Sequence, residues 1–264
     1  MLGLPAEVES GSELKFSFFY CMFSLWSSGL LILVCLLSEG LAAFGSVLHS
    51  AKFLLLAALY ELCKVGLAKL LSGHKESLKL PFGPGRDPRP VRGPLLRKLW
   101  VRLGRLLARL TPLYHFAVGL GLLLAVWLGL AALTVCFGAP LLSNWWETGT
   151  FCWLLVLLTA YPALLVLGPS PSSLLAVYTG SGLETTPPAT ATLSSLWLST
   201  ALGAWAAAAV IPLDWDRAWQ VWPVPCCLGA VAGHLVGSTT SAARVWPGMA
   251  AAAANSSAAR RKFV

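Results

Sequence analysis

The feature that most constrains this chain is a recurrence of long apolar stretches. They occupy roughly residues 16–37, 41–63, 113–137, 149–167, 193–210 and 226–241 of 264. A helix rising 1.5 Å per residue needs about 20 apolar residues to cross a hydrocarbon core of about 30 Å. Within lipid every backbone N–H and C=O must find its partner internally, which leaves helices as the conformation for such runs. The expected class is all-α: a multi-spanning helical integral membrane protein with about six transmembrane helices. Composition agrees, because only 11% of residues are charged, against about 25% in a soluble domain.

The net charge of +8 would suit a nucleic-acid partner if it were spread along the chain. It is not. Twelve of the nineteen Lys and Arg lie between Lys64 and Arg109. Basic residues confined to one loop between spans mark that loop as cytosolic, and no nucleic-acid-binding motif accompanies them. With six spans, both termini are then cytosolic and the loops at Glu39, Glu147, Asp214 and Asp216 lumenal. The acidic start, "MLGLPAEVESGSELK", lacks a basic n-region, so the first apolar stretch is expected to be a retained span.

The second stretch is interrupted by Lys52 and Glu61. Glu61 near its end can snorkel, whereas Lys52 near mid-span needs a partner or a wet cavity, unless the segment is re-entrant. After a tight turn near Glu39 and Gly40, this stretch leads into the basic loop, whose middle "PFGPGRDPRPVRGP" is too rich in Pro and Gly for regular structure. In "LLRKLWVRLGRLLARL", Lys98, Arg102, Arg105 and Arg109 form one stripe, flanked by Arg97, opposite Leu96, Trp100, Leu103 and Leu107. That is an amphipathic helix suited to an anionic leaflet. "LGPSPSS" and "ETTPPATAT" mark a polar connection before the fifth span.

Chemistry-bearing groups are sparse. The seven cysteines contain no C-x-x-C pair and read as small apolar fillers. His49, His74, His115 and His234 are scattered; His234 in "GAVAGHLVG" sits among small residues that favour close helix packing and reads as a core histidine. There is no P-loop, no H-E-x-x-H and no G-x-S-x-G. The densest polar and aromatic cluster is "IPLDWDRAWQVWP", residues 211–223. Trp215, Trp219 and Trp222 stand where an aromatic belt belongs, but a belt needs no acids. Asp214 and Asp216 can pair with Arg217 or cap the turn, or hold a divalent metal on a phosphorylated substrate. The predicted lumenal loops are too short to build a metal-dependent transferase domain.

The block "LGAWAAAAVIPLDWDRAWQVWPVPCCLGAVAGH", with "FGAPLLSNWWET" and "LLVLGPS" upstream in the same order, resembles the PIG-F family of glycosylphosphatidylinositol (GPI) anchor biosynthesis. The likeness runs from about residue 113 to 240. Ala218 stands where the family usually has proline, and His234 where it is often aromatic. The resemblance implies an endoplasmic-reticulum (ER) protein that is not itself an enzyme and needs no cofactor. It would be a stabilising subunit of ethanolamine-phosphate transferases acting on GPI mannoses. Its partners would be the catalytic subunits for the second and third mannoses, with membrane lipid and the GPI precursor as further contacts and no nucleic acid. The contact surface would be Pro212, Leu213, Asp214, Trp215, Asp216, Arg217, Trp219, Gln220, Trp222 and Pro223, with no catalytic or metal residue. The alternative is an integral membrane transferase using Asp214 and Asp216 to hold a metal on a lipid-linked phosphate.

The organisation expected is an N-terminal two-span region (1–64), a basic cytosolic loop with the amphipathic helix (65–112), a four-span PIG-F-like region (113–243) and a cytosolic tail (244–264). The tail ends "RRKFV". Arg261 and Lys262 resemble a dibasic retrieval address, beside the plainer reading of charges that set orientation.

Overall fold

The computed structural model describes residues 4–37, 51–73, 94–140, 143–180, 187–213, 215 and 217–261. The regular elements among them are helices: α1 (Leu4–Leu37), α2 (Ala51–Ser72), α3 (Pro94–Cys136), α4 (Trp145–Leu158), α5 (Ala160–Leu167), α6 (Pro171–Thr179), α7 (Pro188–Ala208) and α8 (Val224–Arg261), with a 3-10 turn at Ala218–Gln220. No strand occurs among the described residues. The protein is all-helical, as expected. Two stretches, Leu113–Cys136 and Trp145–Leu167, are long and apolar enough to cross a membrane.

Those two stretches are placed very differently. Only 6% of the apolar window in Leu113–Cys136 is buried, against 72% in Trp145–Leu167. The first is an outer helix that turns Leu120, Leu124 and Leu128 to its surroundings, while the second is the core of the bundle. The core helix breaks between α4 and α5 at Thr159. Pro162 has no N–H to offer the Leu158 carbonyl and its ring crowds that carbonyl. The Thr159 hydroxyl donates back to the Leu155 carbonyl at 2.7 Å, which also accepts the Thr159 N–H at 3.0 Å.

α7 and α8 cross closely. A Cβ added to Gly203 would lie 2.2 Å from the Gly229 carbonyl oxygen, and one on Gly233 2.1 Å from that of Ser199. Ser199, Gly203 and Ala207 face Gly229, Gly233 and Gly237, small residues at four-residue spacing on both helices. Without a hydrophobic force between helices in lipid, such faces let backbones approach closely enough for dispersion to act. His234 is a core residue, as its sequence context suggested: it is 1% exposed and its Nδ1 lies 3.2 Å from Thr200 Oγ1. On another side of α8 lies α1, running antiparallel, with Leu14 over Gly248 and the Phe18 and Trp246 rings 5.5 Å apart.

Several boundaries differ from the sequence expectation. α2 continues to Ser72, so Lys64 and Lys69 are helical rather than part of a loop. Glu61 does not snorkel outward; it is 5% exposed and bonded to Lys64. The amphipathic segment and the third apolar stretch form one helix, α3. The polar connection after residue 167 contains α6, which begins with Ser170 accepting from the Ser173 N–H and Pro171 at its first position. It ends on Gly180 at φ 60°, a left-handed conformation that favours glycine. α8 runs to Arg261, past the predicted end at 241. The turn at Glu39 and Gly40, residues 74–93, and Lys262 lie outside the described residues, as do the side chains of Lys52 and of the amphipathic stripe.

Four of the cysteines, Cys21, Cys152, Cys226 and Cys227, are buried and free, which is the filler role; Cys63 and Cys136 are exposed.

Candidate functional site

The Trp-rich stretch is the connection from α7 to α8. α7 cannot run through Pro212, so its end tightens first: the N–H groups of Ala209, Val210 and Ile211 bond carbonyls three residues back. The Gln220 side chain then ties the turn shut, its Nε2 donating to the Val210 carbonyl at 2.7 Å and to the Leu213 carbonyl. Trp222 fixes the turn to the core. Its indole N–H donates to Thr148 Oγ1 at 3.0 Å, and the Thr148 hydroxyl donates on to the Pro140 carbonyl at 3.0 Å. Phe151 meets the Trp222 ring edge-on at 5.5 Å. Pro223, the next residue, is buried.

The predicted site residues therefore divide. Gln220, Trp222 and Pro223 face inward and hold the turn. Pro212, Leu213, Trp215 and Arg217 are exposed, and Trp219 is half-buried with its ring edge-on to Trp215 at 6.2 Å. Asp214 and Asp216 lie outside the described residues. Among those that are described, no three His, Cys, Asp or Glu side chains come together.

Beside the turn lies an apolar groove of about 440 Å³ between the end of α3, α4, α7 and the start of α8. Leu133, Phe137, Trp197, Trp205, Ile211 and Trp222 contribute to its walls. Two of its polar wall groups are already engaged: Thr134 donates to the Ala131 carbonyl at 2.9 Å, and the Trp222 N–H is on Thr148. Exposed Trp145, Trp146, Trp205 and Trp215 surround this end of the bundle.

Residues 108–242, just over half the chain and including the whole turn and groove, match the GPI biosynthesis protein family Pig-F. The chain belongs to the Pig-F family.

Among its Pig-F relatives is the human "GPI ethanolamine phosphate transferase, stabilizing subunit", 38% identical over 115 residues, which are 40% of this chain and 48% of that one. The Saccharomyces cerevisiae "Glycosylphosphatidylinositol anchor biosynthesis protein 11" is 38% identical over 110 residues, 42% of each chain. Its Aspergillus fumigatus namesake is 38% identical over 165 residues, 60% of this chain and 48% of its own. The chain thus spans about half the length of the curated relatives it matches. No solved structure matches it.

Sequence reasoning placed the Pig-F turn but missed two of its features. Trp222 reads as one more belt tryptophan, yet its partner Thr148 lies 74 residues earlier. The groove draws walls from four separate segments, and no local pattern joins Phe137 to Trp197. The fourfold spacing of small residues around Gly203 and Gly229 was the available signal that α7 and α8 form one unit beneath it.

Proposed function

We propose that this Pig-F chain is a non-catalytic stabilising subunit of ER-membrane complexes that add ethanolamine phosphate to mannoses of the GPI precursor. It crosses the membrane about six times with both termini in the cytosol, and residues 113–243 form its family core. Its partners are the catalytic subunits serving the second and third mannoses. The observation that carries this reading is the turn itself: it lies within the family match, its inner residues are bonded into the core, and its outer residues Leu213, Trp215 and Arg217 stand exposed beside an apolar groove. A rigid turn with exposed tryptophans and a cation is what a docking surface at a membrane boundary requires. The antiparallel pairing of α1 with α8 supports the alternating passage of the helices.

Co-expression with tagged catalytic subunits tests the role. Asp214→Asn and Arg217→Ala are expected to lower the yield of complex and cellular transfer together. The chain purified alone is expected to transfer nothing. Transfer by the isolated chain, or its loss in a fully assembled Asp214→Asn/Asp216→Asn complex, would overturn the subunit reading in favour of a metal site.

A further inference from the structure

The apolar groove beside the turn has a definite shape. Trp197, Ala201, Ala204, Ala208 and Ile211 line it as one stripe along α7, at spacings of three and four residues. From Trp197 to Ala208 that stripe extends about 17 Å at the helical rise. Over such a length, the volume of about 440 Å³ corresponds to a cross-section of roughly 26 Å². A helix about 10 Å across would need roughly 80 Å². A single hydrocarbon zigzag, touching its neighbours at about 3.5–4.0 Å, needs roughly 20 Å². The alanines keep the trough open, because larger side chains at 201, 204 and 208 would fill it.

The groove also opens onto an apolar surface. Its outer wall is the end of α3, where Leu133 is 49% exposed and Phe137, just past the helix, 71%. The same helix carries exposed Leu120, Leu124 and Leu128 and is long and apolar enough to cross a membrane, with little of that stretch buried. Hydrocarbon bathing α3 is therefore continuous with the groove. The walls ask for an apolar occupant, since many of their polar groups are bonded within the protein. The Thr134 hydroxyl is on Ala131, the N–H groups of Gly138 and Ala139 are on Val135 and Thr134, the Pro140 carbonyl is on Thr148, and the Trp222 indole is on Thr148. At one end stand Pro212 and Trp222 of the turn, among the exposed tryptophans that mark a headgroup level. At the other stands Trp197, held edge-on to Tyr178 at 4.6 Å.

We propose that the groove holds one acyl chain of a membrane phospholipid, its polar end at the turn and its methyl end toward Trp197. The chain lies along the alanine stripe and packs against Ile211 and Trp222, so that lipid completes the wall from which the turn projects. The site rests on the reading that α3 crosses a membrane and not on the subunit role.

The full chain in nanodiscs containing phosphatidylcholine with a mid-chain diazirine tests it. Irradiation, digestion and mass spectrometry then report which residues the acyl chain touches. Label at Leu133, Ala201 and Ala204 is expected to exceed that at Leu120, Leu124 and Leu128 several-fold. It is also expected to survive a chase with unlabelled vesicles that removes label from those three leucines. Label confined to the three leucines would mean surface lipid only and overturn the groove site while leaving α3 in the membrane. No label on them either would overturn the membrane reading itself, and the site with it. Ala201→Phe/Ala208→Phe, which fills the trough, is expected to lose the groove label and keep that on α3; a folded variant that keeps both would overturn the site. Loss of the groove label in the complex with catalytic subunits would assign the groove to a partner's segment and overturn the lipid. The wild-type map needs no variant and decides the site even where the double substitution fails to fold.

Discussion

α8 is held on two sides by opposite means. Towards α7 it offers glycines, and the helices touch backbone to backbone with no room for a methyl group. On its other side α1 lays Leu14 over Gly248 and Phe18 against Trp246, and α1 is itself tied to α2 by a buried ion pair whose Lys64 donates to Ser24. The first junction is exacting in volume and indifferent to charge. The second is exacting in polarity and looser in fit. In a lipid-like surrounding, where apolar contact alone distinguishes few partners, the glycine face supplies closeness and the ion pair supplies register. The family match covers the α7–α8 crossing and stops at 242, before the contacts Leu14 and Phe18 make with α8. The tight crossing thus lies within the family match, whereas α1 and α2 lie outside it.

The largest effect should come from volume at the glycine face. Gly203→Leu or Gly233→Leu forces backbone atoms apart rather than moving a flexible side chain, so the cost should exceed the usual overpacking range of about 1–3 kcal/mol. Thermal unfolding in detergent should show the loss, and monodisperse yield should collapse with it. Gly121→Ala, where an added Cβ meets nothing within 4 Å, should be tolerated. Equal tolerance at Gly203 and Gly121 would break the comparison on its first side.

The next effect concerns charge at the other face. Lys64→Met leaves Glu61 buried without its cation, which costs about 3–5 kcal/mol. Adding Glu61→Leu should recover most of that stability, since replacing both members of a buried pair by apolar groups is often near neutral. A double variant as unstable as the single one would mean that the residue shapes matter there more than the charges. The α1–α8 register of the double variant, read by cysteine crosslinking between positions 18 and 246, should become less defined.

These two junctions were unequally legible in the sequence. The apolar runs and the small residues of "GAVAGHLVG" carry the α7–α8 crossing openly, because helix period and side-chain size are local properties. Lys64 misleads, because a lysine after an apolar run reads as the start of a cytosolic loop. Only Ser24, forty residues earlier, reveals that it points inward. Ser24 is lost for the same reason: serine in an apolar helix is unremarkable until the opposite helix is known to carry Lys64. At the turn, the motif announced its place, but the inward and outward assignment of its tryptophans depended on Thr148 and Phe151 in another helix.

The smallest effect lies at the turn, where the two modes of contact combine. Trp222 fills space against Phe151 and also donates to Thr148, which is itself bonded to the Pro140 carbonyl. Thr148→Val removes an acceptor and a donor together, leaving the Trp222 N–H and the Pro140 carbonyl without their partner. Trp222→Phe removes the indole donor but leaves Thr148 bonded to Pro140. A single neutral hydrogen bond contributes about 1 kcal/mol, and interhelical ones in membranes average about 0.6. A Thr148→Val and Trp222→Phe double-mutant cycle should therefore give a coupling of that order, read from unfolding midpoints in detergent. Thr148→Val alone should also loosen the loop before α4, seen as faster amide exchange near Pro140, whereas Trp222→Phe should not. A vanishing coupling would make the turn a purely apolar contact and place it with the glycine face. A coupling as large as the effect of Lys64→Met would place it with the ion pair.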